Sequence, residues 1–168
     1  MVIIFGALVI VGEVTSYFTD RLHVFIVTNF LSCAFLFLVT LEIATHVVKQ
    51  QDIRLDTVMG GLCVYVLMGL FWTILFVNLE LIHPGSFSFG IHGPNPGMDE
   101  VYALLFYYSF VTLLTIGYGD VVALSNIAQT LTILEGLIGQ FYIIFFIASL
   151  VGMYIYRRQI RPKNDGKF

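Results

Sequence analysis

Thr115-Ile116-Gly117-Tyr118-Gly119-Asp120 decides how the rest of this chain is read. Two glycines flank one bulky residue, Tyr118. Glycine enters positive φ at little cost, so alternating left- and right-handed residues can aim successive carbonyl oxygens to one side. Four such peptides around an axis would stack rings of oxygen able to replace the water shell of a bare cation. Thr115 adds a hydroxyl at the lower end of that column. The plainer alternative is a Gly-rich turn between helices.

Immediately before the hexapeptide runs an aromatic segment, Tyr102 to Leu114, and before that Asp99 suits the N-cap of a short helix. A helix from 99 to about 114 is too short to span a bilayer, which needs about 20 residues. A re-entrant helix is tolerated only where protein or a water-filled cavity surrounds it. Its carbonyl end, carrying partial negative charge, would face the membrane interior and favour a cation. Upstream, His83 to Gly97 is rich in Gly and Pro and is expected to be a loop outside the membrane.

Four apolar runs surround this unit: Val2–Phe18, Leu22–Val48, Val58–Ile82 and Ile127–Tyr156. The chain has 168 residues, 58% hydrophobic and 11% charged, with a mean hydropathy of +0.91. That balance belongs to an integral membrane protein. The first run lacks a basic leader and a small-residue cleavage site, so it reads as a membrane helix. Of eight Lys and Arg, five fall in the last dozen positions, which marks a cytoplasmic flank. Counting spans back from it puts the hexapeptide mouth outside and both termini in the cytoplasm. The fold class is therefore an all-α membrane protein with four transmembrane helices and one re-entrant pore helix per subunit. The expected organisation is an N-terminal helix pair (1–50), a polar linker (51–57), a pore unit (58–157) and a basic tail (158–168). The linker suggests that the pore unit is separable from the helix pair. One such peptide cannot enclose an axis, so the chain must assemble, and symmetric closure makes a ring. Cys33 and Cys63, inside apolar runs, are read as buried thiols.

The motif Thr115–Asp120 resembles the potassium-channel selectivity filter, with Ile116 where valine is commonest. From Val58 to Tyr156 the chain is similar to the two-helix pore domain of prokaryotic potassium channels, the ion channel family. Leu134 to Tyr142 likewise resembles the inner helix of bacterial members. The resemblance implies a homotetramer in the plasma membrane that conducts K+ passively. Backbone carbonyls of Thr115, Ile116, Gly117 and Tyr118, with the Thr115 hydroxyl, would coordinate the ions. Tyr107 and Tyr108 would form an aromatic cuff for Tyr118, Asp120 would support the filter, and Gly139 would be a gating hinge with Gly136 as competitor. Departures from the family pattern are Val111 where some relatives carry a glutamate, Leu114 in place of a threonine, and Ala123 in place of a proline. Rival readings are a less selective cation channel of the same fold, a transporter component, and a non-conducting accessory subunit.

The first two runs carry no arginine series, so no voltage sensor is expected, nor is a cytoplasmic ligand-binding domain. Glu80 and Glu135 are placed near the outer ends of their helices, within reach of water or a polar partner, as structural carboxylates. Glu42 and His46, at i and i+4, share a helix face and could sense pH, although a polar helix end explains them more simply. No nucleophile elbow, metal spacing or phosphate loop supports an enzyme. The short basic tail suits anionic lipid headgroups better than nucleic acid.

Overall fold

A computed structural model describes residues 6, 12, 22–49, 55–90 and 97–160. The order is α1 (Leu22–Lys49), α2 (Leu55–Ile82), β1 (Phe87–Ser88), α3 (Met98–Leu113), β2 (Val122–Ala123) and α4 (Asn126–Ile160). Within α1, α2 and α4, the segments Ile26–Val47, Thr57–Ile82 and Asn126–Ser149 are long and apolar enough to cross a membrane. Of the first apolar run only Gly6 and Gly12 are described; both are helical, and the rest of that span lies outside the described residues.

Helices α1 and α2 run antiparallel, since Val47 approaches Gly60 while Phe37 meets Phe71 at 5.5 Å between ring centroids. The Gly60-Gly61 pair serves two neighbours. A Cβ at Gly60 would stand 2.8 Å from Val47 of α1, and one at Gly61 would collide with the Phe146 ring of α4. Several threonine hydroxyls inside the apolar spans bond back to their own helices, as Thr73 Oγ1 does to Gly69 O at 2.8 Å, which satisfies a polar atom that apolar surroundings would leave unpaired.

The core forms where α2, the loop after it and α3 meet. Phe76, Phe87 and Tyr108 make a mutual edge-on triad with centroids 5.3 to 5.5 Å apart, a geometry that the ring quadrupole favours. Leu104, Leu105, Val101 and Val121 fill the space around it. The segment read as a loop carries a two-residue strand that pairs antiparallel with the stretch after the hexapeptide, Phe87 with Ala123 and Ser88 with Val122. Glu80 holds its entry, its carboxylate accepting from Gly85 N at 2.7 Å and Phe87 N at 3.0 Å. A Cβ at Gly90 would come 2.6 Å from Asp120 O, so the loop lies directly against the end of the hexapeptide.

Several boundaries and roles differ from the sequence reading. Helix α2 begins at Leu55, so the last residues assigned to the linker belong to the helix. Helix α4 continues to Ile160 and takes residues 157 and 158 with it. Asp99 is not the N-cap of α3: Gly97 is, in extended conformation and without a side-chain cap bond, and Asp99 and Glu100 sit in the first turn. Cys33 is buried, but Cys63 is exposed on α2.

Candidate functional site

Helix α3 stops because its end is chemically closed. The last four carbonyls of a helix have no partner within it. Here Phe110 O accepts from Leu114 N, Thr112 O from Thr115 N and Val111 O from Ile116 N, each at 2.9 Å. Leu113 O accepts from Tyr65 Oη of α2 at 2.8 Å. All four are satisfied. The crossed pair of bonds at Val111 and Thr112 is a Schellman closure, whose C′ residue sits in the left-handed region. That residue is usually glycine. Here it is Thr115, with φ 56°, the one non-glycine residue at positive φ among those described.

Beyond Thr115 the handedness alternates. Gly117 has φ 61° and Gly119 φ 78°, while Ile116 and Tyr118 between them do not take positive φ. Left-handed residues thus recur at every second position, at 115, 117 and 119, two of them glycines, which enter that region at little cost. The segment Thr115–Asp120 is exposed along its whole length, and Tyr118 is 70% exposed. A Cβ at Gly117 or Gly119 would meet nothing within 4 Å of its own chain.

Behind the hexapeptide, Tyr107 of α3 lies flat against Tyr118, with centroids 6.4 Å apart and planes 4° from parallel. Its hydroxyl donates to Asp120 Oδ2 at 2.7 Å, while Asp120 Oδ1 accepts from Val121 N at 3.0 Å. The bond to Asp120 pushes the Tyr107 phenol up to about 12, since loss of its proton would break that bond and set two anions together. Tyr108 has another position. It belongs to the core triad and shares a hydrogen bond of 2.8 Å with Thr132 of α4. A cavity of about 340 Å³ separates the helix from the peptide, lined by Tyr107, Tyr108, Thr112 and Thr115 among others.

Gly139 and Gly136 of α4 differ in surroundings. A Cβ at Gly139 would lie 2.7 Å from Leu113 Cδ2, so glycine there lets α4 reach the end of α3. At Gly136 nothing stands within 4 Å.

Two residues carry more of the site than their sequence context suggests. Tyr65 closes the end of α3, and a phenol in a mid-membrane run needs a partner for its hydroxyl, a signal that could have found it. Glu135, read from the sequence as a structural carboxylate with water or a polar partner in reach, is fully buried. Helix α3 packs over it, and Ser109 Oγ lies 2.5 Å from its Oε1. Glu42 and His46 are both exposed on α1.

Residues 97–156 match the family model described as ion channel. The match opens at the N-cap of α3 and includes the hexapeptide and most of α4, so this part of the chain is similar to ion channels. No curated protein and no solved structure matches the chain.

Proposed function

We propose that four copies of this chain surround one axis and conduct potassium passively across the plasma membrane, with both termini in the cytoplasm. The observation that carries the reading is the left-handed backbone at 115, 117 and 119 in an exposed peptide that ends a helix too short to span. K+ is the cargo. The carbonyls of Thr115, Ile116, Gly117 and Tyr118, with the Thr115 hydroxyl, replace its hydration shell, and selectivity follows from the number and field of those oxygens. Tyr107 and Asp120 hold the outer end of the column.

Assembly is supported by what one chain leaves uncovered. Little of the span Asn126–Ser149 is buried, and Leu137, Phe141, Ile144 and Phe145 are exposed on it. In the ring, part of this face meets neighbouring copies and part lines the inner vestibule. The basic residues after α4 lie against anionic headgroups.

Gly117→Asp tests conduction and assembly together. The new side chain meets nothing within its own chain, and aspartate tolerates left-handed φ better than most residues. The subunit is expected to fold while a fixed charge enters the oxygen column. In liposomes containing equal wild-type and variant chains, fourfold mixing leaves about one-sixteenth of the potassium flux and twofold mixing about one-quarter. A residual flux near one-half would mean that variant chains do not enter the ring.

A further inference from the structure

Ser109 of α3 stands between two oxygens. Its Oγ is 3.0 Å from Gly69 O on α2 and 2.5 Å from Glu135 Oε1 on α4. A serine hydroxyl has one proton, and a backbone carbonyl has none to give. If Glu135 were ionised, Ser109 would donate to only one of two acceptors and face the other lone pair to lone pair. The second carboxylate oxygen, Oε2, is buried without a partner, and an unpaired anionic oxygen in a membrane interior is far costlier than an unpaired neutral one. With a proton on Oε1 every contact is satisfied: Glu135 donates to Ser109, and Ser109 donates to Gly69 O. The carbonyl oxygen Oε2 then remains as a neutral acceptor.

The groups around the pair offer no compensating charge. Tyr65 from α2 and Tyr108 from α3 are the titratable side chains that face Glu135. Tyr65 donates to Leu113 O and Tyr108 shares its hydrogen with Thr132, so neither stabilises a carboxylate. Among the described residues no cation lies against it.

We propose that Glu135 is a positioning residue that carries a proton and, through Ser109, holds α3 against α2, so that losing the proton loosens the filter. The proposal rests on the channel reading above. Ser109 lies on the helix whose last carbonyls, at Val111 and Thr112, fix Ile116 and Thr115. When hydroxide takes the Glu135 proton as water, the Ser109 hydrogen turns from Gly69 O to the carboxylate. The tie from α3 to α2 at Gly69 is lost, and the base of the filter loses a support. The device makes conduction fall with rising pH through one group outside the ion path.

Potassium flux into liposomes, measured against pH for wild type and Glu135→Gln, tests this. A glutamine N–H donates to Ser109 as the acid O–H does, so Glu135→Gln is expected to conduct and to lose the decline at high pH shown by wild type. Ser109→Ala, which cannot relay the proton's position, is expected to lose that pH dependence too. In parallel, the infrared carbonyl stretch of a protonated carboxylic acid is expected in wild type at neutral pH and absent in Glu135→Gln. Identical pH profiles in wild type and Glu135→Gln overturn the coupling. An acid band that survives in Glu135→Gln, or its absence from wild type, overturns the proton assignment even if the variant fails to conduct. Absence of flux in every protein at every pH overturns the channel reading and the coupling, while the band still identifies the proton-carrying group.

Discussion

Thr115 occupies a backbone position that a β-branched residue resists, and replacing it separates backbone geometry from side-chain chemistry. Its φ of 56° places it in the left-handed region, which costs an L-residue about 1–2 kcal/mol. Alanine keeps that cost and removes the hydroxyl. Glycine removes both, but loses about 0.5–1 kcal/mol through the greater freedom of its unfolded chain. The balance favours Thr115→Gly over Thr115→Ala by about 0.5–1 kcal/mol per chain. At Thr45, exposed on helix α1, the same pair should reverse, with glycine less stable by about 1 kcal/mol. Denaturation of purified protein in detergent measures both pairs, with choline replacing potassium so that ion binding adds nothing to stability. Potassium flux should fall in both Thr115 variants, because both lack the hydroxyl at the foot of the column. If glycine at 115 is no more stable than alanine, the left-handed turn is not the conformation adopted there, and the argument for aligned carbonyls fails.

Other substitutions probe the surroundings of that peptide. Gly139→Ala should destabilise the protein by about 1–3 kcal/mol through overpacking, because its Cβ would lie 2.7 Å from the fully buried Leu113. Gly136→Ala has free space and should stabilise the helix by about 1 kcal/mol; thermal denaturation separates the two. Single-channel recording then shows whether either glycine is a hinge, since a change in open probability with Gly136→Ala would place the bend there. Tyr107→Phe should lower potassium flux, because Asp120 loses its phenol donor. The Tyr107 phenol is held above its unfolded value of about 10, so the support it gives is complete below that pH and lost as pH rises through about 12. In an alkaline titration of phenolate absorbance, the contribution missing from Tyr107→Phe should have its midpoint near 12; one near 10 would mean that the bond to Asp120 does not persist.

The sequence revealed the spans and the hexapeptide for different reasons. Apolar length alone marks a bilayer crossing, and glycine at alternate positions announces unusual φ before any tertiary contact is known. The positive φ at Thr115 was not legible, since threonine is a poor left-handed residue and only the closure of α3 by Val111 and Thr112 demands it. The contacts of Tyr65 and Glu135 were hidden for a related cause. Their partners, Leu113 O and Ser109, are 48 and 26 residues away, and only the packing of α3 against α2 and α4 brings them together. Strands of two residues leave no periodic trace, so the pairing of Phe87 with Ala123 lay hidden in a loop rich in Gly and Pro.

The central claim is that the carbonyls of residues 115–118 select potassium. Purified protein in a planar bilayer, with potassium on one side and sodium at equal concentration on the other, tests it most directly through the current reversal potential. The account predicts a strongly displaced reversal potential, of the sign that holds potassium back, with the displacement lost in Thr115→Ala or the current abolished. A wild-type current that reverses at zero would contradict it, because the oxygen column would then not distinguish the two ions.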